Sequence, residues 1–326
     1  MNCKKPALLT FLLILTLLVT GTWWFTQPTG KPEEIFTVSK GSNYEEIGNQ
    51  LEHSGWIRSS LVWQTWGVLS GQNRSYFAGS YLLQPHMGLL DISNEIHKGN
   101  TYLEKIPLTI PEGSTIEQIA SYIAETGLMT AENFLQAIRS YKRDTANPDV
   151  LYELEGYLFP ETYYLNSTMT ADDIIEMLRN QFDLVMKDIQ IPSQFAYSEE
   201  ELIILASIVE KESQDPEEIG LVAGVFLNRL QIDMALQSCA TVNYILKQDK
   251  LILSEDDIAV DSPYNTYMYM GLPPGPVGNP GKAAIEAVLY PVHSDYYFFV
   301  AGPDGTHHFS ETYEEHVWWT QTLWGD

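Results

Sequence analysis

Four glutamates stand in apolar sequence surroundings, where a carboxyl group can serve as a proton donor. Glu155 and Glu161 lie in the run EGYLFPETYY, and Glu210 and Glu212 close the run LIILASIVEKES that begins at Leu202. The residues before Glu210 in that run are almost continuously apolar, which predicts a helix buried nearly all round. A carboxyl group at its inner end is partly desolvated and near the negative pole of the helix dipole, and both effects favour the protonated form. Such a setting suits a general acid that works near neutral pH.

Helical geometry alone does not choose between the two glutamates of this run. Glu210 shares a helix face with Ile203 and Ser207, whereas Glu212 lies on another face. One could be the acid while the other pairs with a base such as Arg229. A helix end with two solvated glutamates is the alternative to a catalytic site.

The helix that holds these glutamates has clear start and stop signals. Ser198 and Glu201 have the spacing of a capping box, and Pro216 lies just beyond the charged end. We therefore expect a helix from about residue 199 to residue 214.

Charge and motif content exclude several classes of function. With 43 acidic and 18 basic residues, the formal net charge is −25, which argues against nucleic acid as a partner. There is no Ser-x-x-Lys acyl-transfer site, no His-Glu-x-x-His helix, no Gly-x-Ser-x-Gly elbow and no P-loop. His307, His308 and His316 lack the spacing of a metal site, so we expect neither a metal nor a cofactor.

The N-terminal segment is typical of a membrane anchor. Residues 1–6 carry two lysines, an uncharged apolar run follows, and Trp23 and Trp24 close it. No small-x-small cleavage site follows the run, so we expect an uncleaved transmembrane anchor at residues 7–26 and a linker at 27–34. The rest of the chain would then lie outside the cytoplasm, held at the cell (inner) membrane by a single pass. A cleaved signal peptide is the alternative.

A weak internal repeat follows the linker. Val38-SKGSNYEEIGNQLEHSGWI and Ile110-PEGSTIEQIASYIAETGLM share glycine, serine, glutamate and isoleucine at equivalent places. Each reads as a strand, a glycine turn and an amphipathic helix, a pattern that resembles LysM-type glycan-binding modules. We expect a LysM-like module at residues 35–104 and a second repeat with a connecting helix at 105–152. A spacer that binds nothing is the alternative.

The remaining sequence, residues 153–326, predicts a mixed domain with a cleft, so the fold class is α+β. Further helices are expected at 130–141, 172–189 and 282–289, and an apolar strand at 296–300. The glycine- and proline-rich motifs between Asn228 and Pro276 predict a long, shaped loop. Residues 306–310 and His316 are expected on a closing turn.

A series of long motifs identifies a family resemblance. EGYLFPETY, LASIVEKES, VAGVFLNRL, ALQSCATVNYIL, SPYNTYMYMGLPPGPVGNPG, YYFFVA and GTHHFSETYEEH occur in this order from about residue 155 to residue 316. The series resembles the MltG (YceG-like) family of endolytic murein transglycosylases. The expected anchor and LysM-like repeats match the layout of that family.

The resemblance assigns roles to individual residues. It implies that Glu210 is the catalytic residue, whereas Glu212 matches a second glutamate of less certain role. The other residues that it places along the substrate cleft are Glu155, Asn228, Arg229, Gln237, Tyr264, Asn265, Thr266, Tyr267, His308 and His316. The chain departs from the family pattern at Cys239, where some members carry an aspartate, so a helper carboxylate at that position is in doubt. Cys239 is expected to be a small buried residue rather than a nucleophile.

The resemblance also implies a reaction. Glu210 would protonate the glycosidic oxygen between N-acetylmuramic acid and N-acetylglucosamine and then, as a carboxylate, take the proton of the sugar's own 6-hydroxyl, which leaves a 1,6-anhydro end. The expected partners are nascent peptidoglycan strands and the membrane, with peptidoglycan synthases as further candidates, and the expected role is to terminate growing strands. The alternatives are a non-enzymatic glycan-binding scaffold and a muramidase that uses water.

Overall fold

A computed structural model describes residue 21 and residues 23–103, 105–141, 147–213, 215–250 and 252–325. Most of the predicted anchor, together with Cys3 and the two lysines, lies outside these residues. Within the described residues, no helix is both long and apolar enough to cross a membrane. The chain divides into two compact units, residues 1–104 and 105–326, called unit 1 and unit 2 below.

Unit 1 is built on a two-stranded antiparallel sheet with helices packed against it. Its elements are β1 (Glu34–Val38), α1 (Tyr44–His53), α2 (Ser60–Ser70), a short 3-10 helix (Gln72–Arg74), β2 (Gly79–Leu83) and α3 (Leu89–Lys98). Glu34 of β1 lies opposite Leu83 of β2, and Val38 lies opposite Gly79.

The core of unit 1 depends on the close approach of α1 and α2. Tyr44 of α1 stacks on Trp63 of α2, with ring centroids 4.8 Å apart. A methyl group on Gly48 would come within 2.5 Å of the Trp63 ring, and one on Gly67 within 2.2 Å of the Tyr44 ring. Glycine is therefore needed at both positions because a larger residue would separate the two helices.

Unit 2 combines two further antiparallel strand pairs with nine helices among its described residues. The elements that surround its centre are β3 (Ile106–Thr109), α4 (Ile116–Glu125), α5 (Ala131–Ser140), β4 (Thr162–Leu165), α6 (Ala171–Asp188) and α7 (Glu199–Glu212). The later elements are α8 (Ile219–Gln231), α9 (Cys239–Leu246), α10 (Glu255–Ile258), α11 (Lys282–Leu289), β5 (Phe298–Ala301), β6 (His307–Ser310) and α12 (Tyr313–Trp324). β3 pairs with β4, and β5 pairs with β6.

Helix α7 is the central element of unit 2. Every residue from Leu202 to Glu210 is buried, and α8 and α11 pack against the helix. Ser198 and Glu201 form the predicted capping box. The predicted buried helix is therefore confirmed, and it ends at Glu212.

The other predicted elements are mostly correct, with two exceptions. The two strand-turn-helix repeats are present as β1–α1 and β3–α4, and equivalent capping boxes, at Asn43 and Thr115, start both helices. The closing turn predicted at residues 306–310 is wrong, because those residues contain strand β6 and His316 lies in α12. The long loop is confined to residues 259–281, since α9 and α10 occupy part of the predicted stretch.

The first exception has a physical cause. His307 and Phe309 belong to a strand that gains its stability from pairing with β5, a long-range contact that local turn signals do not report. The mixed α+β class is confirmed, whereas the likeness of unit 1 to LysM modules and the predicted boundary at residue 152 stay predictions.

Candidate functional site

Glu210 lies on the last turn of α7 and exposes only 2% of its surface. Its Oε2 accepts a hydrogen bond of 3.0 Å from the backbone N–H of Gly281, the residue that caps the N-terminus of α11. Gly113, in the turn between β3 and α4, lies against its side chain: a methyl group there would be 3.3 Å from Cγ of Glu210. The carboxyl group thus faces the positive end of α11 as well as the negative end of its own helix.

A buried asparagine connects the three segments around Glu210. Asn279 is fully buried and pairs by backbone hydrogen bonds with Gly113 and Ser114 of the β3–α4 turn. Its side-chain nitrogen donates to the carbonyl of Ser114 at 2.8 Å and to Glu155 Oε1 at 2.9 Å, and its side-chain oxygen accepts from Leu158 N at 2.8 Å. This asparagine therefore fixes the loop that carries Gly281 against the turn of the second repeat.

Glu155 lies in the same network and exposes 1% of its surface. Its carboxyl group accepts hydrogen bonds from Ile116 N, at the start of α4, and from the hydroxyl of Tyr244 at 3.0 Å. Burial raises the pKa of Glu155 to about 8, although these hydrogen bonds and the charge of Lys211 oppose the shift. All of these contacts are internal, so in this arrangement Glu155 joins α4 to the site loop.

Glu212 has different partners from Glu210, so the structure distinguishes the two. Its carboxylate accepts hydrogen bonds from the hydroxyl of Ser238 and from the backbone of Ala240, at the N-terminus of α9. Burial raises the pKa of Glu212, and these bonds, with His307 and Arg229 nearby, oppose the shift. Glu212 thus connects the end of α7 to the start of α9.

Asn228 and Arg229, both on α8, use their side chains to hold the β5 region. Asn228 Nδ2 donates to the carbonyls of Ser294 and Tyr296, at 2.8 and 2.9 Å. The Arg229 guanidinium donates to the carbonyl of Tyr297 at 2.6 Å and, at its other end, to that of Leu236 at 2.7 Å. Burial lowers the pKa of Arg229, although Tyr267 and Glu212 oppose the change.

The motif Tyr264–Tyr267 is mostly internal. The Asn265 side chain donates to the carbonyls of Ile258 and Val260 at 2.9 and 2.8 Å, and Thr266 Oγ1 lies 2.9 Å from Thr241 Oγ1. Tyr264 is buried against Tyr244. Burial raises the pKa of both Tyr264 and Tyr267.

Near the Tyr264–Tyr267 motif, two of the residues predicted to line the substrate cleft are at least partly exposed, Gln237 and Tyr267. Gln237 is exposed and has a positive φ of 47°, a conformation that costs energy in a residue with a side chain. Its backbone N–H is fixed by the carbonyl of Thr266 at 3.0 Å. Tyr267 is partly buried, with its hydroxyl 3.2 Å from Sγ of Cys239. Burial raises the pKa of the half-buried Cys239 thiol, as expected of a packing residue rather than a nucleophile.

The two histidines predicted near the cleft stack on aromatic rings. His308 lies on Trp319, with ring centroids 4.1 Å apart, and His316 stacks on Phe298. Burial and the charge of Arg229 lower the pKa of His316. These histidines therefore belong to the β5–β6–α12 part of unit 2, which meets α8 through Arg229 and Phe298.

The structure brings Glu210 and Glu155 together around the 277–281 loop, and Glu212, Arg229 and Tyr267 around the start of α9. Three residues at the first group were not predicted from sequence: Glu112, Asn279 and Gly281. Their signal was present, because Asn279-Pro-Gly ends the glycine- and proline-rich loop and Pro111-Glu-Gly is the turn of the second repeat.

Two surface concavities of about 630 and 620 Å³ in unit 2 do not contain Glu210. The first is lined by α6 and Tyr163, and the second by aromatic and acidic side chains of β6 and α12. Size alone would direct attention to these depressions. The polar network around Glu210 is the better candidate site because it gathers buried ionisable groups from distant segments.

Comparison with known proteins decides the family. A model of proteins described as the YceG-like family matches residues 36–321. The chain belongs to the YceG-like family. The resemblance seen in its motifs is thereby confirmed, and the match includes the repeats of both units.

Named relatives agree with this assignment. The chain is 32% identical over 96% of its length to a Streptococcus pneumoniae protein called endolytic murein transglycosylase, of which it spans 64%. A Bacillus subtilis protein with the same name is also 32% identical, over 86% of this chain and 81% of that protein. A crystal structure of a yceG-like protein from Listeria monocytogenes has a TM-score of 0.62 and 32% identity, covering 87% of this chain and 98% of that one.

Proposed function

We propose that this YceG-like protein is an endolytic lytic transglycosylase that cleaves peptidoglycan between N-acetylmuramic acid and N-acetylglucosamine. The observation that carries the proposal is Glu210, a buried glutamate held by Gly281 N–H within loops from three parts of unit 2. Two relatives with 32% identity bear the name endolytic murein transglycosylase, which supports the same reaction class.

In the proposed reaction, Glu210 donates its proton to the glycosidic oxygen as the bond to the anomeric carbon breaks. The 6-hydroxyl of the same muramic acid attacks that carbon and gives its proton to a carboxylate, and the strand is left with a 1,6-anhydro end. The exposed Gln237 and the hydroxyl of Tyr267 are positioned at the loops next to α9 to bind hydroxyl or N-acetyl groups. Binding of this kind holds the sugar in a reactive geometry.

The setting of the enzyme is part of the proposal. An N-terminal anchor at residues 7–26 would hold the chain at the cell membrane, with the residues after the anchor outside the cytoplasm, and the LysM-like module at residues 35–104 would contact the glycan. Strands would then be cut close to where they are made, which suits a role in terminating growing strands next to peptidoglycan synthases.

Digestion of isolated peptidoglycan by the purified chain tests the reaction. We expect soluble strands that carry anhydro ends, which mass spectrometry recognises because each is lighter by one water than a reducing end. Glu210→Gln should lower the rate by about 10²-fold or more, because a general acid contributes that much. Glu125→Gln, at the exposed end of α4, is the matched control and should leave the rate unchanged.

Three other results would each contradict the proposal. Reducing ends would show a muramidase that uses water. Binding to peptidoglycan without cleavage would show a scaffold. Release of anhydro ends by a folded Glu210→Gln variant would show that Glu210 is not the acid.

A further inference from the structure

Glu112 places a second carboxylate beside the proposed acid. The Glu112 side chain is exposed and lies over Gly281: a methyl group on Gly281 would be 1.9 Å from Oε1 of Glu112. The N–H of the same Gly281 binds Glu210 Oε2 at 3.0 Å. The two glutamates therefore contact the same glycine.

The distance between these carboxylates has an upper limit. The path from Glu112 Oε1 to the methyl position is 1.9 Å, that position lies about 2.5 Å from the glycine nitrogen, and the nitrogen lies 3.0 Å from Glu210 Oε2. The two oxygens are thus no more than about 7.5 Å apart. Paired carboxylates of glycosidases are separated by about 5 to 9.5 Å, according to whether one of them is a nucleophile or activates a water molecule.

The position of Glu112 is built into the fold. Gly113 N donates to the carbonyl of Asn279 at 2.8 Å, and Asn279 N donates to that of Ser114 at 2.9 Å. The turn that carries Glu112 is therefore bonded on its inner side to the loop that carries Gly281. In contrast, Glu155 and Glu212 are tied to internal donors and cannot serve as a freely accessible base.

We propose that Glu112 is the base of the reaction, so that two carboxylates share the work expected of Glu210 alone. The inference rests on the proposed function. The ionised Glu112 takes the proton of the attacking hydroxyl, and the lone pair of that oxygen forms the new bond to the anomeric carbon. The electrons of the broken glycosidic bond pass to the leaving oxygen, which receives the proton of Glu210. Glu112 ends protonated and Glu210 ionised, and exchange with water restores both.

Variants of Glu112 test this division of roles on the full chain. Glu112→Gln should lower kcat by about 10²-fold or more, with little change in KM, because the group acts on the transition state. Its melting temperature should equal that of the wild type, since the side chain is exposed. Glu125→Gln is again the control: it lies at the far end of α4, about 14 Å along the helix from its start.

Gly281→Ala provides an independent test. Gly281 has φ −75°, which alanine adopts freely, so the added methyl group leaves the backbone and its bond to Glu210 in place. This methyl group must displace the Glu112 carboxylate, so Gly281→Ala should lose activity as Glu112→Gln does. A variant that carries both substitutions should lose no more activity than Glu112→Gln alone.

The outcomes separate this inference from the proposed function. One outcome is that Glu210→Gln is inactive, whereas Glu112→Gln keeps its kcat within about threefold of the wild type or changes only in a higher KM. In that case Glu112 is not the base and the transglycosylase assignment stands. If the wild-type chain releases no new ends, the proposed function is wrong and the inference fails with it.

Discussion

Glu155 is a carboxyl group with no route to solvent, and its surroundings determine how it responds to pH. Desolvation raises its pKa to about 8, while Lys211 lowers and Glu117 raises that pKa through their charges. Both oxygens of its carboxyl group already accept hydrogen bonds from Ile116, Tyr244 and Asn279, so neither oxygen is available to bind a ligand. At the scale of single residues, Glu155 makes only internal contacts whereas Glu210 is the proposed acid, although both are nearly fully buried.

We therefore expect a pH-dependent stability that originates at Glu155. The unfolded chain loses this proton near pH 4.5, whereas the folded chain keeps it up to about pH 8. Over that interval the folded state binds the extra proton, so stability falls as pH rises, by at most about 1.4 kcal/mol per pH unit.

Glu155→Gln tests this expectation, because glutamine keeps the shape of the carboxyl group but cannot ionise, and its side-chain oxygen can still accept the hydrogen bond from Ile116 N. The free energy of unfolding of the variant, relative to the wild type, should increase from about pH 5 to about pH 8 in urea denaturation. Parallel pH profiles would contradict the expected shift. Glu125→Gln should show no such difference.

At the scale of elements, Asn279 connects the β3–α4 turn, the start of α4 and the N-terminus of α11 through hydrogen bonds. It is fully buried and both ends of its amide are bonded. The hydrogen bonds of one short polar side chain thus hold distant segments together, as the pairing of strands does elsewhere in the fold. The loop can be irregular because its buried polar groups find partners in other elements: Val277 N donates to Ser207, and Gly281 N donates to Glu210.

Asn279→Ala should destabilise the protein by about 3 kcal/mol or more, because the buried Leu158 N–H loses its acceptor, and the Glu155 carboxyl group and the Ser114 carbonyl each lose one donor. Chemical denaturation measures this loss. Hydrogen exchange should also speed up at Gly113 and Gly281, while exchange in unit 1 stays the same. Unchanged protection from exchange at those two glycines would show that Asn279 does not hold the β3–α4 turn and the Gly281 loop together.

The elements also show what sequence reasoning can reach. Capping residues and apolar periodicity predicted α5, α6, α7 and α11, because those signals are local. Strand β6 and the bond between Asn279 and Glu155 were not predicted, because they depend on partners far away in the chain. Motif resemblance predicted Glu210 as the catalytic residue but gave no reason for the different surroundings of Glu212.

At the scale of the whole molecule, the candidate site belongs to unit 2 alone. Glu112, Glu155, Glu210 and Gly281 all lie between residues 105 and 326. The second repeat is part of this unit, since β3 pairs with β4 and Ile116 binds Glu155.

Two truncated chains should therefore behave differently. A chain of residues 105–326 should unfold in one cooperative transition and retain cleavage of soluble glycan fragments. A chain of residues 153–326 should not fold stably, because β4 loses its only strand partner in the described structure. In addition, the buried Glu155 carboxyl group loses the hydrogen bond from Ile116 N at the start of α4. Calorimetry distinguishes the two, and a cooperative transition in the shorter chain would contradict this expectation.

The bond from Asn279 to the carbonyl of Ser114 joins residues 165 positions apart. Contacts so distant in sequence form late in folding, because most of the intervening chain must first be ordered. As the polypeptide emerges from its N-terminal end, the turn with Glu112 and the helix with Glu210 are complete well before the glycine that brings them together. Activity should consequently appear only when synthesis has passed residue 281.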